Sequence, residues 1–263
     1  MMIRFFNACW LLVALFLVVN CVDQALAEDL PQPTLLAKRG ALILDDDGSK
    51  DRGGKVTIEL NEGVGVRAAL GIWKRAESDS NVWRSMWEEG MGHPPVASYR
   101  GLVAKNLVVE VTFRYGPNSE SWHSQFLRIA ADQRPQIKGH IVSAWVNLNG
   151  PYTEKGIVIE HVPPRGKQGI LMDHQPLSSE AETWLTATLE IVGDETLFRM
   201  GDHVAYAKKE EIGIAKNLVS LTLGTTWHEI KRVRIWHAEE NPDWKANKDT
   251  ILKSREPFIP RPR

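Results

Sequence analysis

The chain has 263 residues, 43% of them hydrophobic and 25% charged, and its 32 Lys and Arg against 33 Asp and Glu leave a net charge of −1. That balance excludes an electrostatic nucleic-acid binder, which needs a strongly basic domain. Both cysteines, Cys9 and Cys21, lie near the amino terminus, ahead of the segments that pattern as a fold.

Residues 1–27 read as a secretory signal peptide: Arg4 supplies the positive start, residues 10–19 the apolar core, and Ala25-Leu26-Ala27 a small-x-small cleavage site. A lipid anchor on Cys21 is the competing reading, with Asn20 standing where a small residue is wanted. Cleavage after Ala27 removes both thiols, so the mature chain has no disulfide framework, Cys metal site or Cys nucleophile. No later apolar run is long enough to span a bilayer, and the expected location is periplasmic or extracellular. Roughly 236 residues then remain, the size of one large β domain. Nine of the ten tryptophans stay in it, a density that suits a sandwich core, a sugar-stacking surface, or both.

Residues 28–40, with Pro31 and Pro33, form an extended lead-in, and the domain proper runs over 41–240. A short strand at 41–44 enters the acidic loop Asp45-Asp46-Asp47-Gly48-Ser49-Lys50-Asp51. Asp45, Asp47 and Asp51 are candidate ligands for Ca2+ or another divalent metal. The loop lacks the spacing and terminal Glu of an EF-hand, so an ordinary acidic turn is the simpler reading. Residues 56–60 alternate as a strand. Residues 81–89 suit a short helix with Trp83 and Trp87 at i and i+4, and 82–87 equally suit a strand. Gly92-His93-Pro94-Pro95 breaks either element.

From residue 107 the alternation is clean. Leu107, Val109, Val111 and Phe113 share one face, and Val108, Glu110, Thr112 and Arg114 the other. Further strands are expected at 122–129, 140–147, 156–162 and 169–172. The run 184–207 is a meander: Leu185, Ala187, Leu189 and Ile191 share one face, and Gly193-Asp194 and Gly201-Asp202 make two tight turns. Strands at 218–223 and 230–238 close the domain, and 241–263 reads as a charged, Pro-rich, loosely held tail. Strand-sized runs at this spacing without a long helix predict an all-β sandwich of two antiparallel sheets.

The pieces LILDDD (42–47), LVVEVTFRY (107–115), KGHIVSAWV (138–146), WLTATLEIVGDETLFRMGDHVA (184–205) and IKRVRIWHA (230–238) follow one another in an order that carries a resemblance. The chain resembles the concanavalin A-like jelly rolls of secreted bacterial proteins, near the 3-keto-disaccharide hydrolase group, also called family 16 glycoside hydrolase-like. The resemblance implies two curved sheets whose concave face can bind saccharide. It departs from the laminarinase-type members in lacking their Glu-x-Asp-x-x-Glu strand, so retaining hydrolysis by two carboxylates on one face is not expected. A metal-assisted or lyase-like attack on an oxidised sugar stays open, because the keto-sugar branch does not use that motif.

Glu160-His161 and Asp173-His174 each set a carboxylate beside an imidazole, a pairing that orients the ring and raises its pKa. Neighbours on a strand face opposite sides, so each pair is expected to work apart. His140, Glu160, Asp173 and His174 are the candidate catalytic groups. For any one of these histidines, a hydrogen-bonded strand-end residue is the commoner role. Arg128, Trp145, Trp122 and His161 are candidate carbohydrate contacts; Trp145 serves equally as a stacking platform or a core anchor. There is no phosphate loop, dinucleotide fingerprint or Gly-x-Ser-x-Gly elbow. Three readings follow: a saccharide-binding domain, a hydrolase or lyase acting on a 3-keto disaccharide, and a non-catalytic cell-surface scaffold.

Overall fold

The computed structural model describes residues 30–50, 58–134, 139–163 and 167–263. The signal peptide, Asp51 and the start of the 56–60 strand lie outside the described residues. Residues 34–263 form one unit, an all-β jelly-roll sandwich in which every pairing between described strands is antiparallel.

One sheet holds β1 (Ala37–Asp46), β4 (Ile72–Arg75), β5 (Trp83–Met86), β7 (Leu107–Tyr115), β12 (Leu185–Val192), β13 (Glu195–Met200), β14 (His203–Lys208) and β16 (His228–Glu240). Its order is β14-β13-β12-β7-β16-β5-β4, with β1 lying along the other half of β16. The second sheet holds β2 (Ile58–Asn61), β3 (Val64–Leu70), β6 (Val96–Ala104), β8 (Gln125–Asp132), β9 (His140–Asn149), β10 (Gly156–Val162), β11 (Ile170–Gln175), β15 (Lys216–Leu223) and β17 (Arg261–Pro262). Its order is β17-β11-β10-β9-β8-β15-β6-β3-β2.

The alternating residues meet as their pattern predicts. Leu189 opposes Val109 on β7 and Phe198 on β13, and all three side chains are buried in the core. Gly193 and Gly201 each take positive φ, at 57° and 56°, as the first of two loop residues. That position is where a two-residue hairpin needs glycine.

Alternation did not decide exposure, however. Thr188 and Glu190 lie on the other face and are buried as well. The Glu190 carboxylate accepts the backbone N–H of Leu35 at 3.0 Å and of Ala37 at 2.8 Å, so the chain entering β1 lies over it. Burial raises the pKa of that carboxyl, against the pull of those two N–H groups.

The ambiguous stretch 81–89 resolves as strand β5, because Trp83 and Ser85 find backbone partners on β4 and on β16. The carboxyl-terminal 241–263 differs from a loose tail. It carries a helix α1 (Trp244–Lys253), whose Trp244 packs with Leu36, Leu197 and Val204. Beyond α1, Arg255 pairs with Asp173, the Glu256 N–H binds Gln175 at 2.8 Å, and β17 adds to β11. Long-range partners order this segment, which its local composition did not reveal.

Candidate functional site

Cross-strand register places side chains on a common face. On the second sheet, Leu127, Ile129, Ala131, Val142, Ala144 and Val146 face the core. The intervening positions form the outer face. One row runs Arg67, Ser98, Ser220, Ala130, Ser143, Glu160 across β3, β6, β15, β8, β9 and β10. With strands about 4.8 Å apart, this row is about 24 Å long. The next row runs Thr222, Arg128, Trp145, Val158, His174.

Arg128 is the pivot of this face. Its Nε donates to Ser143 Oγ at 2.6 Å, and its Cζ lies 4.9 Å from the centroid of the Trp145 ring. Burial pushes its guanidinium down to about 10, which the carboxylates of Glu160 and Asp132 partly oppose. It is therefore charged at neutral pH. Its two terminal nitrogens have no acceptor among the described residues.

Trp145 is 4% exposed and enclosed by Phe126 at 5.3 Å and by Arg128 and Arg263. It anchors the face. The exposed aromatic beside it is Tyr152, 44% exposed, stacked on Trp145 with ring planes 26° apart. Sequence reasoning passed over Tyr152, although an aromatic in a Gly-Pro loop was the available signal.

The four candidate catalytic groups do not converge. Glu160 is saturated: Trp145 Nε1 donates at 2.9 Å, Thr153 Oγ1 at 2.8 Å and Arg263 Nη1 at 3.0 Å. His161 has a different partner, with Nδ1 on the carbonyl of Ile141 at 3.0 Å. Asp173 accepts the Tyr206 N–H from β14 at 2.6 Å and pairs with Arg255, which ties the edges of the two sheets together. His174 Nε2 meets the carbonyl of Lys155 at 2.6 Å.

Among the described residues His140 is the candidate whose ring meets a carboxylate, that of Asp132 across the β8–β9 hairpin. Nδ1–H donates to Asp132 Oδ2 at 2.8 Å, while Oδ1 accepts the Ile141 N–H at 3.0 Å. Sequence reasoning missed Asp132, which only the hairpin register brings to His140.

Trp122 stands apart from this group, 39% exposed, beside Trp87 and His123. In the acidic loop, both oxygens of Asp45 bind Arg232, at 2.8 and 2.7 Å. The Ser49 hydroxyl, and then the Ser49 N–H at 3.0 Å, lower the pKa of Asp47. Among the described residues no set of three His, Cys, Asp or Glu side chains is placed to hold a metal ion.

No protein-family model matches the chain, and no curated protein matches it. Solved structures do. CG-16, a homodimeric agglutinin from chicken liver, is 6% identical, with 53% of this chain and 98% of that one covered at a TM-score of 0.42. The carbohydrate-binding module CBM66 from Bacillus subtilis is 7% identical over 66% of this chain and 92% of its own, at 0.44. The CBM2 module of the evolved Dit of Lactobacillus casei BL23 phage J-1 is 9% identical over 78% and 98%, at 0.45.

Proposed function

We propose that the protein binds a saccharide on the outer face of the nine-stranded sheet, around Arg128. The observation that carries this is a desolvated guanidinium, fixed by Ser143 and Trp145, whose terminal N–H groups have no protein acceptor among the described residues. A sugar offers what these groups lack: hydroxyl or carboxylate oxygens for the fork and an apolar ring face for Tyr152.

Replacing Arg128 by Ala is expected to weaken oligosaccharide binding at least about tenfold, with the thermal transition retained. Arg128→Lys does not restore it, because an ammonium lacks the planar fork. Titration calorimetry against a panel of neutral, uronic and 3-keto oligosaccharides checks this. Absence of heat from every sugar, or heat indifferent to Arg128→Ala, sinks the reading and leaves the scaffold role.

The Asp132–His140 pair supports a second reading, hydrolysis or elimination at a glycosidic bond of a 3-keto disaccharide. With the proton on Nδ1 held by Asp132, Nε2 is left as a base. Product formed by the wild type and lost in His140→Ala, in the same titration series, favours it.

Secretion to the periplasm or medium is part of the proposal and rests on the leader at 1–27. Mass spectrometry of protein from the native host is expected to find its amino terminus at Glu28. An intact Met1 or a lipid on Cys21 contradicts it.

A further inference from the structure

A cleft of about 200 Å³ lies away from Arg128, lined by Arg84, Met86, Trp87, His123, Thr226 and Trp227. Trp122 packs against two of these residues, its ring 5.3 Å from that of Trp87 and 4.2 Å from that of His123. The loops that build it are stitched together. Gly116 N–H donates to the carbonyl of Trp227 at 2.8 Å, and a Cβ on Gly116 would come within 2.3 Å of the Trp227 ring nitrogen. Thr225 Oγ1 donates to the carbonyl of Trp122 at 2.8 Å, and Thr226 Oγ1 to that of Pro117 at 3.1 Å. The fold's own hydrogen bonds therefore build the cleft.

Its polar lining is biased toward donors. His123 Nδ1 accepts the backbone N–H groups of Ser119 and Glu120 at 3.3 and 3.2 Å, which puts the proton of the neutral ring on Nε2. Arg84 spends Nε and Nη2 on Glu229 and lies 4.6 Å over the Trp227 ring, leaving Nη1. The Trp227 ring nitrogen has no acceptor among the described residues either. Glu229 is shared between Arg84 and Arg114, and Arg114 lies over Trp184 outside the cleft lining, so the one arginine of the lining is already ion-paired.

We propose that this cleft is a separate binding site for a single neutral hexopyranose ring. The volume is below the roughly 300 Å³ at which sites for drug-sized ligands begin, which suits one ring. Trp122 and Trp87 meet its C–H face, and His123 Nε2, Trp227 Nε1 and Arg84 Nη1 meet its oxygens. None of these residues takes part in the Arg128 face.

Saturation-transfer NMR with the methyl glycosides of glucose, galactose and mannose tests it on the mature chain. The wild type is expected to transfer saturation to at least one of them with a saturable dose curve. The cleft variants are made in the Arg128→Ala background, which removes the contribution of the other face and is expected to keep a saturable curve. Trp122→Ala, at an exposed position, weakens it about tenfold, and Ser119→Phe, which fills the cleft mouth, abolishes it. Thermal melts confirm that both variants stay folded, and either one suffices if the other does not. No transfer from the wild type overturns the site. So does transfer that persists through both cleft substitutions, or that disappears with Arg128→Ala alone; the last would still uphold the Arg128 reading.

Discussion

Lys216→Met is expected to flatten the alkaline limb of the protein's stability profile. Lys216 is 1% exposed on β15, and its Nζ donates to the carbonyls of Ile212 and Lys105, with no carboxylate partner among the described residues. Burial lowers its pKa from 10.5 to about 7, and the charge of Lys105 adds to the shift. Between those two values the unfolded chain holds a proton that the native chain has released. Stability therefore rises with pH through that window and is flat below it, where the amine is charged in both states and the burial penalty is complete. A shift of this size is worth about 4–5 kcal/mol across the window.

Methionine removes the charge and keeps most of the volume, but leaves two carbonyls without their donor, at about 1–3 kcal/mol. The net gain at pH 7 is accordingly smaller than the full penalty. The slope is the clean readout. Urea unfolding at pH 7 and pH 10 should show the variant's advantage shrinking as pH rises, since other titrating groups cancel in the difference. Parallel profiles for the two proteins would refute the assignment.

Leu189→Ala is the second large effect, a loss of about 2–5 kcal/mol. Leu189 is fully buried between Val109 and Phe198, and two sheets close over it, so the cavity cannot collapse cheaply. Thr188→Ala is expected to cost about 1 kcal/mol. Thr188 is also buried, but among the side chains opposite it, Glu110 and Arg199, on the outer face. Equal losses in thermal or urea unfolding would place the register one residue out.

The contrast between these two residues shows how far the pattern reached. Alternation over 107–115 and 185–192 told which side chains share a face, because a strand's geometry imposes period two on any chain that adopts it. It told nothing of what lies over the second face. The lead-in at 35–37 and helix α1 do that, through Glu190 and through Trp244 with Leu36. Those contacts join residues more than 150 positions apart, and no local window contains both partners.

The candidate site divides in the same way. Arg128 and Trp145 are neighbours because a hairpin joins β8 to β9, so their sharing of a face was within reach of the strand pattern. Their chemistry was not. Trp145 is an anchor instead of a platform because Arg128, Arg263 and Phe126 enclose it, and Arg263 arrives from the far end of the chain. Glu160 and His161 have different partners, and the partner of His140 came from register across a hairpin.

By itself, then, the sequence determined the all-β class, the central meander with its two Gly-Asp turns, and the inward face of its clearest strands. Each of these follows from interactions between residues a few positions apart. Tertiary structure alone decided that 81–89 holds a strand, that 241–263 is folded, which polar groups are already satisfied, and that Trp122 lies against Trp87. Those outcomes depend on which backbone edges and side chains meet across the sandwich, and a one-dimensional pattern of residue types does not encode that meeting.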